Sequence, residues 1–134
     1  MVGSDSIPAK RLFETLDTVH EDGGAVCSPF DSWLILRGLR SLGARMKMHC
    51  DNAIQVAEAM EAHDCIERVL YPGLKSHPQH EVARRQMTGP GYSGMMSLLV
   101  KGGKKEALSV MRNVKLLRRA TSLGGTETLI EHRK

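Results

Sequence analysis

Asp64-Cys-Ile-Glu-Arg-Val-Leu-Tyr-Pro-Gly73 is the first segment of this chain that does not read as helix. Ile66, Val69 and Leu70 stand between Asp64 and the turn pair Pro72-Gly73, so a short strand is expected over Cys65 to Tyr71. From Ala9 to Met60 the apolar residues fall mainly at helical spacing. Leu12, Phe13, Leu16 and Val19 form the apolar stripe of an amphipathic helix from Ala9 to about His20, which Gly23-Gly24 ends. Ser28-Pro29 supplies an N-cap and a proline suited to the first helical position of a second helix. Its run Phe30, Trp33, Leu34, Ile35, Leu36 and Leu39 is apolar on most sides, so that helix is expected to be buried. Past Gly43, Met46, Cys50, Ala53, Ala57 and Met60 make the inner face of a third, half-buried helix, with Lys47, Asp51, Gln55 and Glu58 facing away.

Downstream of the strand the pattern alternates. His77-Pro78 should open a helix that runs through Met87. A loop of Gly89, Pro90, Gly91 and Gly94 leads to a buried strand over Met95 to Val100. Gly102-Gly103 turns into a helix from Lys104 to about Arg112, with Ala107, Leu108 and Met111 inward. A third strand is expected over Val114 to Thr121, ending in Ser122-Leu-Gly-Gly125, and residues 126–134 offer no further strand. The order predicts an α/β or α+β layered unit, helices packed on one face of a small sheet. Residues 1–8, with Gly3, Ser4, Asp5, Ser6 and Pro8, read as a flexible lead or a remnant strand ahead of a single domain over 9–134. A three-stranded sheet is thin, and more chain is expected beyond Lys134 to complete it.

Composition agrees with an ordinary globular domain: 134 residues, 41% hydrophobic and 25% charged. Cys27, Cys50 and Cys65 are odd in number and contain no CxxC pair, which favours a reduced, cytoplasmic protein over a secreted one. No apolar run approaches the roughly 18 residues of a membrane span, and the N-terminus carries Asp5 and no signal-like core. The formal charge of +4 raises nucleic acid as a partner. Yet Lys101, Lys104, Lys105, Lys115, Arg118 and Arg119 are scattered in short groups, and aromatics for base stacking are only 4% of residues. Solvated surface charge is the simpler account.

Four constellations could carry chemistry. His77 and His80 stand three residues apart at a helix start, a spacing that can bind a metal, and His49, Cys50, His63 and Cys65 could add ligands, but no third ligand is paired with them at a fixed spacing, and capping or surface histidines explain them. Cys27 lies beside a helix start, where a thiolate is favoured, whereas Cys50 and Cys65 sit where buried, inert cysteines are usual. The pairs Gly23-Gly24 and Gly102-Gly103 read as plain turns. Ser122-Leu-Gly-Gly125 differs, because a glycine-rich loop after a strand exposes backbone N–H groups that, with a serine hydroxyl, can hold a carboxylate.

Six ordered stretches carry a resemblance: Gly24-Ala-Val-Cys-Ser-Pro-Phe-Asp-Ser-Trp-Leu34, Arg37-Gly-Leu-Arg40, Tyr71-Pro-Gly-Leu-Lys-Ser-His-Pro-Gln-His80, Ala83-Arg-Arg-Gln-Met87, Gly94-Met95 and Ser122-Leu-Gly-Gly-Thr-Glu-Thr-Leu-Ile-Glu-His132. Together they resemble the C-terminal portion of the Cys/Met-metabolism family of pyridoxal-phosphate enzymes, which takes in cystathionine gamma-lyases, cystathionine gamma-synthases and methionine gamma-lyases. The resemblance runs from about Ala9 to His132. It implies C–S bond chemistry on sulfur-containing amino acids, pyridoxal phosphate as cofactor, and homo-oligomers or association with a full-length relative. It also implies that Ser122 and the Leu123 backbone help hold the substrate α-carboxylate and that Thr121 lines the pocket. The family's Schiff-base lysine lies in a Ser-x-Thr-Lys-Tyr context that no lysine here shares, and Lys10, in Ile7-Pro-Ala-Lys-Arg11, fits the helix after that site better. Arg133 and Lys134 depart from the family's usual Pro after His132. The chain by itself is therefore expected not to bind the cofactor covalently and to be inactive; the alternative is a non-catalytic, oligomerising interaction module.

Overall fold

The structure is a computed structural model that describes residues 9–132; the lead at 1–8 lies outside the described residues. The chain falls into two compact units that meet in sequence between Arg40 and Ser41.

The first unit holds helices α1 (Ala9–Gly23) and α2 (Pro29–Leu39). Beyond α1, Gly24 takes a φ of +62°, a left-handed value that glycine adopts without the Cβ clash other residues meet, and so stops the helix. Ser28 caps α2 as expected: its Oγ accepts from the Asp31 N–H at 3.1 Å and its hydroxyl donates to Asp31 Oδ2 at 2.7 Å, with Pro29 entering the first turn. Burial of α2 is where expectation fails. Phe30 is 65% exposed, Trp33 54% and Leu36 61%, and no residue of the helix is buried. An all-round apolar helix reports a need for cover, and none of its faces receives enough within the described residues.

The second unit is built on α3 (Leu42–Glu61), β1 (Ile66–Leu70) and β2 (Ser97–Val100). β1 and β2 pair antiparallel with Val69 opposite Leu98 and Leu70 opposite Ser97, and an irregularity between Ile66 and Arg68 shifts the register. Cys50, Ala53 and Ala57 recur at helical spacing on the buried side of α3, and the small Ala57 lets the helix lie close to the strand. Ala53, Ala57, Val69, Tyr71 and Leu74 form the core, with Ile54, Met60, Ile66, Tyr92 and Met96 packed around it. Tyr71 is fully buried and its hydroxyl donates to the Ser93 carbonyl at 2.9 Å. Burial pushes the Tyr71 phenol above its usual pKa, with Cys50 and Tyr92 adding to the effect.

Helix α4 (His80–Gln86) starts three residues later than His77-Pro78 suggested. Consecutive tight turns occupy the interval, with the Leu74, His77 and His80 N–H groups donating to the carbonyls of Tyr71, Leu74 and His77. β2 is shorter than the expected Met95 start and only half-covered, Ser97 and Leu98 being exposed. α5 (Lys104–Asn113) places Ala107, Leu108 and Met111 on its half-buried side, as the spacing required.

The strand expected over Val114 to Thr121 shrinks to β3 (Arg118–Arg119). It pairs in parallel with β4 (Leu129–Ile130), inside the segment expected to hold no strand. The Arg118 N–H donates to the Thr128 carbonyl at 3.0 Å. Two-residue strands are too short for alternation to show in the sequence. The mixed α/β architecture stands, but the single three-stranded sheet is replaced by two two-stranded ones.

Candidate functional site

The parallel pairing of β3 with β4 ties the two ends of the segment from Ala120 to Thr128 together, so Thr121, Ser122 and Leu123 are presented on one exposed loop. Leu123 is 68% exposed. Gly124 turns the chain at a φ of +74°. Among the described residues, none of the N–H groups of Ser122, Leu123, Gly124 and Gly125 donates to a backbone carbonyl, which leaves them for a ligand or water.

The loop is held from α3. Arg45 Nη1 donates to the Gly124 carbonyl, and Arg45 Nε donates to Ser41 Oγ at 3.1 Å. A Cβ added at Gly124 would lie 3.7 Å from Arg45 Nη1. The other half of the loop carries negative charge: a Cβ at Gly125 would meet Glu127 Oε2 at 2.8 Å. The Glu127 carboxylate therefore disfavours an anion at Gly125. Sequence reading missed Arg45 altogether. It lies 79 residues from Gly124, and no local spacing marks the pair.

Three of the other candidate histidines have backbone partners, whereas His49 Nε2 is buried with no hydrogen-bond partner among the described residues. His77 Nδ1 accepts from the Gln79 N–H at 3.2 Å, His63 Nδ1 accepts from the Cys65 N–H at 3.2 Å, and His80 Nδ1 lies 2.8 Å from the Pro72 carbonyl. Among the described residues, no three His, Cys, Asp or Glu side chains are placed to hold a metal ion. Cys50 is buried, as its helical face implied, but Cys65 is exposed, because the strand begins one residue after it. Cys27 is exposed, and at the neighbouring helix start the Asp31 N–H is already bonded to Ser28. Every described lysine is exposed. Lys47 is ion-paired with Asp51 at 2.6 Å, and that hydrogen bond and charge hold its ammonium above the usual lysine pKa. No described helix is long and apolar enough to cross a membrane.

Comparison with known proteins gives a consistent result. The family model described as Cys/Met metabolism PLP-dependent enzyme matches residues 1–134. A cystathionine beta-lyase of Coxiella burnetii is 46% identical over 123 residues, covering 92% of this chain and 31% of that protein. A cystathionine gamma-lyase of Dictyostelium discoideum is 48% identical over 121 residues, covering 90% and 31%. Among solved structures, cystathionine gamma synthase from Xanthomonas oryzae pv. oryzae, in complex with aminoacrylate and cysteine, superposes with a TM-score of 0.79 at 38% identity, covering 91% of this chain and 31% of that one. The chain thus spans about a third of the length of the relatives it matches.

Proposed function

Because this chain belongs to the Cys/Met metabolism family of PLP-dependent enzymes, we propose that it is the part of a C–S lyase or synthase that receives the α-carboxylate of a sulfur-containing amino acid. Ser122 and the Leu123 backbone bind the carboxylate, and Thr121 lines the pocket beside it. The reading rests on one observation: the exposed loop whose N–H groups lack backbone acceptors, closed at its ends by β3 and β4. The Xanthomonas relative, which holds aminoacrylate and cysteine, supports an amino-acid ligand. The protein is expected in the cytoplasm, where such metabolism runs in a reduced environment.

Pyridoxal phosphate belongs to this family and, when bound, supplies an electron sink for bonds at the amino-acid carbons. The described residues do not fit it as a covalent anchor. A lysine that attacks a carbonyl must shed its proton, which burial promotes, whereas every described lysine is exposed and Lys47 is held more firmly protonated. The chain alone is therefore expected to be inactive. Purified chain incubated with pyridoxal phosphate and L-cystathionine should release no thiol and leave the cofactor's absorbance unchanged; turnover would refute the inactivity. Adding L-cystathionine to 15N-labelled chain should shift the Ser122 and Leu123 amide resonances. If those amides stay still while others move, the carboxylate assignment is lost.

A second reading, a non-catalytic module that pairs with itself or with a full-length relative, draws support from the apolar exposure of α1 and α2.

A further inference from the structure

We propose that Arg45 is the positioning residue of the Thr121–Gly125 loop, a role that rests on the carboxylate reading above. Its guanidinium, carried on the first turn of α3, fixes the Gly124 carbonyl and holds the loop in the form that leaves the Ser122 and Leu123 N–H groups open to an amino-acid carboxylate.

Three observations carry this. The first is that the loop cannot be rigid on its own account. It contains two consecutive glycines, Gly124 at a φ of +74°, and glycine loses more conformational freedom on ordering than any other residue. Two-residue strands at its ends provide little restraint. The second is that Arg45 is itself braced. Its Nε donates to Ser41 Oγ one turn earlier, so the guanidinium plane is set by α3 before it reaches the loop. A hydrogen bond from a cation to a carbonyl is stronger than a neutral one, and arginine stays charged at any physiological pH. The third is charge. The Glu127 carboxylate stands over Gly125 and opposes a second anion on the loop, whereas the Arg45 cation at Gly124 offsets it. One side chain therefore acts on both the shape of the loop and its charge balance.

Amide hydrogen exchange on 15N-labelled chain tests the proposal, comparing the unsubstituted protein with Arg45→Gln and Arg45→Lys. In the Gln variant, exchange at Gly124, Gly125 and Thr126 should quicken by about tenfold, while amides from Asp51 to Met60 in α3 hold within about twofold. The Lys variant, which keeps the charge but not the two-sided geometry, should fall between. In a titration with L-methionine, the shift of the Ser122 amide should require about tenfold more ligand in the Gln variant and be partly rescued in the Lys variant. Unchanged loop exchange in both variants overturns the proposal. So does an even rise across the second unit, or loss of its fold in both variants, since Arg45 would then be holding the core and not the loop. If loop exchange follows Arg45 but L-methionine moves no loop amide even in the unsubstituted chain, the carboxylate reading falls and the positioning stands. If L-methionine acts equally on all three proteins, the positioning falls and the carboxylate reading stands.

Discussion

At Gly124 the backbone adopts a φ of +74°, where an L side chain would set its Cβ against the carbonyl that follows it. Space is not the obstacle, since the nearest atom to an added methyl, Arg45 Nη1, is at 3.7 Å. Gly124→Ala should therefore cost about 1–2 kcal/mol of backbone strain, read as faster local exchange in the loop with α3 unaffected. Tyr71 poses a different residue-scale problem. It is fully buried, its hydroxyl donates to the Ser93 carbonyl, and its phenol titrates above the ordinary 10.0. A group that binds its proton more tightly when folded contributes stability that is whole below its unfolded pKa and lost as pH rises through the folded one. Urea midpoints should thus hold steady to about pH 10 and fall above it. Tyr71→Phe should lower the unfolding free energy near neutral pH by about 1 kcal/mol for the lost hydrogen bond, seen as a lower urea midpoint, and flatten the alkaline decline. A Phe variant with the same alkaline slope would remove Tyr71 from the account.

Among the elements, α2 depends on its first turn. Ser28→Ala removes the acceptor for the Asp31 N–H and should cost that helix about 1 kcal/mol, visible as lower helical circular dichroism and faster exchange confined to Phe30–Trp33. In α3 the demand is for smallness. Ala57 has no exposed surface and shares the core with Val69 and Leu74, so Ala57→Leu should destabilise the second unit by about 1–3 kcal/mol through overpacking, measured as a lower thermal midpoint. These helices were readable because their signals are local: Ser28-Pro29 writes its own cap, and Cys50, Ala53 and Ala57 repeat at one spacing over several turns. β1 was readable for a similar reason, bounded by Asp64 and Pro72-Gly73. β3 and β4 were not, because each is two residues long and exists only through the other. The site divides in the same way. Thr121, Ser122 and Leu123 stand out in the sequence as a glycine-rich loop, whereas the Arg45 contact joins positions 79 apart and no periodicity encodes it.

At the scale of the whole molecule, two facts about apolar surface decide what the isolated chain should do in solution. Among the described residues the buried hydrophobic side chains are Cys50, Ala53, Ala57, Val69, Tyr71 and Leu74, all of them in the second unit. The first unit instead exposes Phe13 at 70%, Leu16 at 58%, Phe30 at 65% and Leu36 at 61%. Scattered apolar residues on a surface need no explanation, but stripes along two successive helices do, since leaving them in water forfeits about 25 cal/mol for each Å² of apolar area. The relatives are about three times as long as this chain, so the remainder of such a protein is one source of cover, and a second copy of this chain is another. In isolation only the second copy is available. Sedimentation equilibrium should therefore show association that grows with protein concentration, and Phe13→Glu combined with Leu36→Glu should shift the population toward monomer without lowering the thermal midpoint of the second unit. A chain that stays monomeric at about 100 μM, a hundredfold above the concentration at which a −8.2 kcal/mol contact half-forms, would show that these stripes do not drive pairing.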